Sequence, residues 1–122
     1  MFDIDNLGQV FTPQYIVAQM LSLRKRNGSV LEPSAGNGSF FKNIPNCVGI
    51  EIDKRHHTEG MLLMDFFDYP TSHKFDTIIG NPPYVKYKNI QKSTLQKLDT
   101  TLFDERSNLY LFFIEKCIKH LN

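Results

Sequence analysis

Apolar and polar residues repeat at two different periods along the chain, and the changes of period mark the predicted elements. The first apolar set recurs at helical spacing and consists of Ile16, Val17, Met20 and Leu21. We expect Thr12 to be the N-cap of this helix, Pro13 its first residue and Asn27-Gly28 its end. The chain therefore starts with a predicted helix that follows a short polar leader.

Four short apolar runs with strand character come next, in "SVLEP", "CVGIEID", "GMLLMDFFD" and "FDTIIGNPPY". Each run ends in polar residues or in Gly and Pro, and the pieces between them are loops or helical segments such as "FFKNI". Short apolar strands separated in this way are typical of a parallel sheet with crossover connections. The predicted fold class is α/β.

The pattern breaks down over residues 85–106, where lysines accumulate and no acid precedes Asp99. These lysines are Lys86, Lys88, Lys92 and Lys97. We expect a mobile loop or a weak helix here, followed by a last helix over residues 107–121 with Ser107 as its cap. One apolar stripe runs along that helix, formed by Tyr110, Phe113, Ile114, Cys117, Ile118 and Leu121.

Composition indicates one globular domain. The chain has 122 residues, of which 41% are hydrophobic and 22% charged, and a formal net charge of +1. That charge argues against a broad basic surface, although a local basic patch is compatible with it. Cys47 and Cys117 lack the spacing of a metal or redox motif, so we expect reduced, buried thiols. Since there is no signal peptide pattern and no run of ~18 apolar residues, we expect a cytoplasmic protein.

Every predicted strand ends in residues that can bind or react, and ligands of open parallel sheets bind at these carboxyl ends. The strand ends carry, in order, Glu32-Pro33 with the turn Gly36-Asn37-Gly38, then Glu51 and Asp53, then Asp65-Phe66, then Asn81 to Tyr84. A glycine turn admits close backbone contact, and Glu51 is placed to accept hydrogen bonds from ribose hydroxyls. Asp65 suits an adenine amine, and Phe66 suits the face of a base.

Simpler interpretations remain open for each feature alone. Gly/Asn clusters are often plain turns, and an Asp-Phe pair after a strand is often an N-cap beside a core residue. Phe41 stands where a dinucleotide fingerprint would have its last glycine, which disfavours a pyrophosphate ligand. It is the ordered set that indicates a nucleoside site.

In this order the motifs resemble those of the DNA methyltransferases that methylate adenine N6, in the subgroup whose cofactor motif precedes the catalytic motif. The segments that carry the resemblance are "GQVFTP", "LEPSAGNGSF", "GIEID", "MDFFD", "NPPY" and "NLYLFFIEKC". The resemblance implies a Rossmann-like methyltransferase fold, S-adenosylmethionine as cofactor, DNA as partner and a restriction-modification system as context. It implies cofactor-binding roles for Thr12, Pro13, Glu32, Pro33, Ser34, Gly36, Gly38, Glu51, Ile52, Asp65 and Phe66, and catalytic roles for Asn81, Pro82, Pro83 and Tyr84.

The "NPPY" motif suits methyl transfer to an exocyclic amine. The lone pair of an aryl amine is delocalised into its ring, and two acceptors that hold its N–H bonds favour sp³ geometry and free that pair. Asn81 offers its side-chain carbonyl and Pro82 its backbone carbonyl, while the two proline rings fix φ. Tyr84 offers a face for a base flipped out of the duplex. The alternative is a Pro-Pro turn that closes a strand and leaves Tyr84 in the core.

The family's catalytic domain usually has seven strands and is followed by a target-recognition region, whereas this sequence predicts four strands. We therefore expect residues 1–122 to be the N-terminal part of the catalytic domain, either of a longer enzyme or of a truncated product. We also expect self-association through an unpaired sheet edge and the stripe of the last helix. Two alternatives remain: a non-catalytic module that binds S-adenosylmethionine or self-associates, or a methyltransferase acting on RNA or protein glutamine.

Overall fold

The computed structural model describes residues 11–36, 38 and 40–122. Residues 8–10 of the "GQVFTP" motif and Asn37 and Ser39 of the glycine turn lie outside the described residues. The helices and strands, in chain order, are α1 (Gln14–Ser22), β1 (Val30–Glu32), β2 (Cys47–Glu51), β3 (Leu62–Leu63), β4 (Thr77–Ile78), α2 (Lys92–Leu95) and α3 (Leu109–Lys119). Short 3₁₀ turns form at Phe41–Asn43, Phe66–Asp68 and Tyr87–Asn89.

The four strands form one parallel sheet in the order β3-β2-β1-β4. Leu31 is in register with Val48 on one side and with Ile78 on the other, and Glu51 is in register with Leu63. The predicted α/β class and the predicted parallel pairing are confirmed. Because all strands run the same way, their carboxyl ends meet at one edge of the sheet.

The sheet is covered on both faces, which explains why all three residues of β1 are buried, without alternation. Val30 and Leu31 are both fully buried, but they point to opposite faces. Val30 packs with Val17 of α1, and Leu31 packs with Phe113 of α3. The protein therefore has three layers, with α1 and α3 on either side of the sheet.

The first helix starts and ends at other residues than predicted. Its N-cap is Pro13, not Thr12, and no side chain caps it. It ends at Ser22 rather than at Asn27-Gly28. The Arg24 guanidinium donates to the backbone carbonyls of Arg26 and Gly28, at 2.7 and 2.9 Å, which favours a turn over further helix.

The last helix is capped by Asn108, not by Ser107. The Asn108 Oδ1 atom accepts from the N–H of Tyr110 at 3.3 Å, whereas the Ser107 hydroxyl accepts from the N–H of Asp104. The buried residues of α3 are Leu109, Phe112 and Phe113. Of the predicted stripe, Ile114, Ile118 and Leu121 remain 43 to 63% exposed. The stripe is therefore divided between the core and an exposed apolar face.

The edge of the sheet at β4 is partly paired. Among the described strands, β4 has β1 as its one neighbour, as predicted for the fourth strand. Just before β4, however, Phe75 forms a parallel bridge with Leu121. The Phe75 N–H donates to the His120 carbonyl at 2.8 Å, and the Asn122 N–H donates to the Phe75 carbonyl at 2.9 Å. The backbone after α3 thus forms a single parallel bridge just before the start of β4.

Residues 85–106 are mostly turns and irregular structure, with a weak helix in one part of the segment. It comprises the 3₁₀ turn Tyr87–Asn89 and the single-turn α2, and it is anchored by buried Ile90 and Thr94. None of the helices in the described part of the chain is long and apolar enough to cross a lipid bilayer.

Candidate functional site

A cleft lies at the carboxyl ends of the strands and has about 730 Å³ of empty volume, including its open mouth. All four strand ends contribute predicted site residues to its walls. These residues are Pro33, Ser34, Gly36, Glu51, Ile52, Asp65, Phe66, Asn81 and Pro83. The sequence therefore predicted correctly that these positions come together, and their individual roles stay predictions.

Six predicted site residues do not line this cleft. Thr12 and Pro13 lie at the start of α1, Glu32 and Gly38 are buried beside the cleft, Pro82 faces a neighbouring groove, and Tyr84 points outward. Tyr84 is 52% exposed and packs against Tyr110 with ring centroids 5.2 Å apart. The alternative that placed Tyr84 in the core is therefore wrong.

The glycine turn orients the acid at the end of β2. Gly36 has a φ of +56°, in the left-handed region that favours glycine. A Cβ at Gly36 would lie 3.3 Å from the Phe11 ring, so a side chain there would crowd the cleft as well as strain the turn. The Gly36 N–H donates to Glu51 Oε1 at 2.7 Å, and the Asp53 N–H donates to Glu51 Oε2 at 2.8 Å. The buried Glu51 carboxylate is thus held in one orientation by backbone donors.

Asp65 both caps a turn and lines the cleft. Its Oδ1 atom accepts from the Phe67 N–H at 3.0 Å, which caps the 3₁₀ turn Phe66–Asp68. Its Oδ2 atom accepts from the Thr94 hydroxyl at 2.6 Å and lies 3.5 Å from Lys97 Nζ. The N-cap interpretation left open by the sequence is correct, and it coexists with a position in the cleft wall.

Glu32 is a buried carboxyl group with a strongly perturbed pKa. Burial, with a smaller contribution from the nearby Glu51 carboxylate, raises the pKa of Glu32 to about 8, against the lowering effect of the Phe41 N–H that donates to Oε1 at 3.0 Å. The Cγ atom of Glu32 lies 3.5 Å from the position that a Cβ would take at Gly80. Glu32 is therefore mostly neutral at pH 7 and lies beside the start of the "NPPY" motif.

The "NPPY" motif is fixed at both ends by hydrogen bonds. At its start, the Ser34 hydroxyl donates to the Asn81 backbone carbonyl at 3.1 Å. After its end, the Val85 N–H donates to Asn108 Oδ1 at 2.9 Å, and the Leu109 N–H donates to the Val85 carbonyl at 2.8 Å. Asn108 thus joins the exit of the motif to the start of α3.

Half of the cleft wall was not predicted from the sequence. The additional lining residues are Phe11, Met64, Phe67, Val85, Ile90, Gln91, Thr94, Leu109 and Phe113. Phe113 packs against Phe66 with ring centroids 5.2 Å apart, and against Phe67 at 5.0 Å in a T-shaped pair. Leu109 and Phe113 are four residues apart on one helix face, which is a signal that the sequence does contain. No local pattern marks Ile90, Gln91 or Thr94.

The lysine-rich segment contributes less free positive charge than its composition indicates. Lys97 forms ion pairs with Asp65 and, at 2.6 Å, with Asp68. Lys86 and Lys88 lie beside a surface groove that also includes Arg106 and Glu105. Arg106 is paired with Asp104 at 2.8 Å. Lys86 and Lys88 are the basic side chains of this segment that are nearest in sequence to Tyr84.

The two cysteines are free thiols in the described structure. Burial raises the pKa of Cys47 and the pKa of Cys117 to about 12. Both side chains therefore remain uncharged at neutral pH and act as small apolar groups.

Comparison with known proteins places this geometry in a family. Residues 15–122 match the family described as Eco57I restriction-modification methylase. Type II methyltransferase M.HincII from Haemophilus influenzae is 34% identical over 93% of this chain and 26% of that protein. Type II methyltransferase M.TthHB8I from Thermus thermophilus is 32% identical over 95% of this chain and 32% of that protein. The chain thus spans about a quarter to a third of these relatives.

Two solved structures share the fold at low sequence identity. One is a modification subunit assigned to a type I restriction enzyme from Vibrio vulnificus, with a TM-score of 0.70 and 15% identity over 93% of this chain and 31% of that one. The other is a protein assigned as a class I S-adenosylmethionine-dependent methyltransferase from Listeria monocytogenes, with a TM-score of 0.62 and 17% identity over 89% of this chain and 41% of that one.

Proposed function

Because the chain belongs to the Eco57I restriction-modification methylase family, we propose that it forms the cofactor-binding and catalytic part of a DNA methyltransferase that methylates the N6 amine of adenine. The observation that carries this proposal is the meeting of Glu51, Asp65 and Asn81 in the wall of one cleft. The chain spans 26% of its relative M.HincII, so the activity is proposed for the complete protein. We place the complete protein that contains this chain in the cytoplasm, as part of a restriction-modification system.

The residues that line the cleft suit S-adenosylmethionine as the methyl donor. Glu51 would accept from the ribose hydroxyls and Asp65 from the adenine amine, while Phe66 would pack against the base. Glu32 is buried beside this cleft rather than in its wall, and a cationic ligand group that approached it would favour its ionised form. Glu32, together with Thr12, would then face the methionine end. When bound, S-adenosylmethionine supplies an activated methyl group.

The "NPPY" motif would hold the substrate amine. The Asn81 side-chain carbonyl and the Pro82 backbone carbonyl accept its two N–H bonds, and Pro82 and Pro83 keep these acceptors in place without needing N–H partners of their own. Tyr84 is half exposed, so its ring is accessible for stacking with a base extruded from the duplex. The hydrogen bonds from Ser34 and to Asn108 support a fixed position of this motif.

The test is methyl transfer by the complete protein to an adenine-containing duplex, with labelled S-adenosylmethionine. Asn81→Ala should lower the chemical step by roughly 10²–10³-fold, because it removes a hydrogen bond that strengthens in the transition state. Binding of cofactor and DNA should stay nearly intact. Asn27→Ala, the same change at an exposed position, serves as the matched control. Full activity of Asn81→Ala would remove the catalytic role, and label in RNA or protein but not in DNA would overturn the substrate.

The 122-residue chain alone should bind S-adenosylmethionine without robust methylation of DNA. Specific DNA binding needs several phosphate contacts and base readout, whereas the chain has a net charge of +1 and one short lysine-rich segment. Without tight binding, little offsets the few kcal/mol needed to unstack an adenine. Robust incorporation of label by the chain alone would contradict this expectation.

A further inference from the structure

Thr94 of α2 has no role in the function proposed above, yet it is 6% exposed and lies in the cleft wall beside Asp65. Its hydroxyl donates to Asp65 Oδ2 at 2.6 Å, across 29 residues of sequence. We propose that Thr94 is a positioning residue for Asp65 and thereby sets the preference of the base subsite for a ligand with an exocyclic amine. This inference rests on the proposed function, since it concerns the nucleoside end of the same cleft.

Asp65 is held by donors on both of its carboxylate oxygens. The Phe67 N–H donates to Oδ1 at 3.0 Å, and the Thr94 hydroxyl donates to Oδ2 at 2.6 Å. Donors on both oxygens fix the rotation of the carboxylate about its Cβ–Cγ bond. Lys97 Nζ lies 3.5 Å from Oδ2 and only 2.6 Å from Asp68, so its stronger contact is with Asp68. Thr94 is therefore the closest side-chain donor to Asp65.

A carboxylate in a fixed orientation selects ligand groups that can donate a hydrogen bond to it. An ionised carboxylate accepts hydrogen bonds and cannot donate them, and its two oxygens offer about four acceptor positions. Phe67 and Thr94 take two of these positions and the weaker contact of Lys97 takes a third, and the remaining one favours a ligand N–H and opposes a ligand carbonyl oxygen. A site built to hydrogen-bond one group discriminates strongly against an analogue that lacks it. The 6-amino group of adenine meets this requirement, and a 6-oxo group does not.

Thr94 is also one of the buried residues that hold α2 in place. Buried Ile90 and Thr94 attach α2 to the cleft, and Gln91 between them also lines it. A purely structural role for Thr94 would consist of attaching α2. Loss of that attachment would weaken every nucleoside ligand to a similar extent, whereas loss of a positioning role changes the ratio between the amino and oxo ligands. The two roles therefore differ in a measurable quantity.

The experiment compares the affinity of the 122-residue chain for S-adenosylhomocysteine and for its 6-oxo analogue S-inosylhomocysteine by calorimetry. The unaltered chain should bind the 6-amino ligand at least about tenfold more tightly. Thr94→Val should reduce that ratio by about fivefold or more, and Thr94→Ser should retain it because the hydroxyl remains. Thr71→Val, the same change at an exposed position, is the matched control and should leave both affinities unchanged.

Each remaining outcome overturns a defined part of the argument. An unchanged ratio in Thr94→Val, with equal losses for both ligands, would show that Thr94 only attaches α2. Equal binding of both ligands by the unaltered chain would overturn the preference while leaving nucleoside binding in place. Binding of neither ligand would overturn the proposed function itself, and this inference with it. If Thr94→Val melts below the assay temperature, Thr94→Ala removes the same hydroxyl and gives the same comparison.

Discussion

Glu32 should release a proton when the chain binds S-adenosylmethionine. Burial and the nearby Glu51 carboxylate raise the pKa of Glu32 to about 8, so the free chain carries this group mostly in its neutral form at pH 7. A cationic group of the ligand placed beside Glu32 favours the ionised form and lowers that pKa. Binding at neutral pH therefore ionises Glu32, and the proton appears in the buffer.

The magnitude follows from the pKa of about 8. At pH 7 a group with this pKa is about 90% protonated, so binding should release about 0.9 proton per chain. The affinity for S-adenosylmethionine should increase with pH, because the proton must leave Glu32 before the ion pair with the ligand forms. Between pH 6 and pH 7, where an α-amino group with a pKa near 7.8 stays charged, the apparent affinity should rise by about tenfold.

Calorimetry in two buffers of different ionisation enthalpy measures the released protons directly. Glu32→Gln keeps the shape of the side chain but cannot ionise, so it should release close to no proton and show an affinity that is flat between pH 6 and pH 7. Glu59→Gln makes the same change at an exposed carboxylate and should behave as the unaltered chain does. Both variants are compared at equal ligand concentration.

Two results would refute this reasoning. If the unaltered chain binds without releasing a proton, then either its Glu32 is already ionised or the ligand leaves it neutral. If Glu32→Gln releases as many protons as the unaltered chain, the proton comes from another group. In both cases Glu32 would not be the residue that receives the cationic end of the ligand.

Glu51→Ala should weaken S-adenosylmethionine binding by about tenfold to a hundredfold, because it removes a carboxylate contact worth roughly 1.5–3 kcal/mol; unchanged affinity in calorimetry would count against the ribose-binding role. Light scattering should show association of the chain at high concentration, since Ile114 and Ile118 are 46% and 63% exposed, and Ile118→Lys should reduce it; a compact monomer would contradict this. Burial lowers the pKa of His120 from 6.5, so its contribution to stability is complete above pH 6.5 and is lost as pH falls below that value. The melting temperature of the unaltered chain should therefore fall relative to that of His120→Phe between pH 7 and pH 5. A constant difference between the two melting temperatures would exclude this contribution of His120.

The strands and their chemistry could be predicted from the sequence because their signals are local. Val30 and Leu31 form a short apolar run between turn residues, and such a run, repeated four times with intervening loops, specifies a parallel sheet. Parallel strands place their carboxyl ends at one edge. The residues that follow each run, such as Glu51, Asp65 and Asn81, had therefore to meet there.

The helix ends could not be predicted in the same way, because caps depend on competing partners. Ser107 and Asn108 are both good N-cap residues. Asn108 caps α3 because its side chain also accepts from the N–H of Val85, which the fold brings within 2.9 Å. The end of α1 likewise depends on the carbonyls that Arg24 reaches.

The sequence by itself determined the order of the strands' chemical groups, their common edge and the resemblance to N6-adenine methyltransferases. Only the tertiary structure decided that α2 lies in the cleft wall, that Thr94 donates to Asp65 across 29 residues, and that burial raises the pKa of Glu32 to about 8. The physical reason is the range of the interactions. Periodicity and turn chemistry act between neighbours in sequence, whereas desolvation and hydrogen bonds between distant segments exist only after the layers have packed.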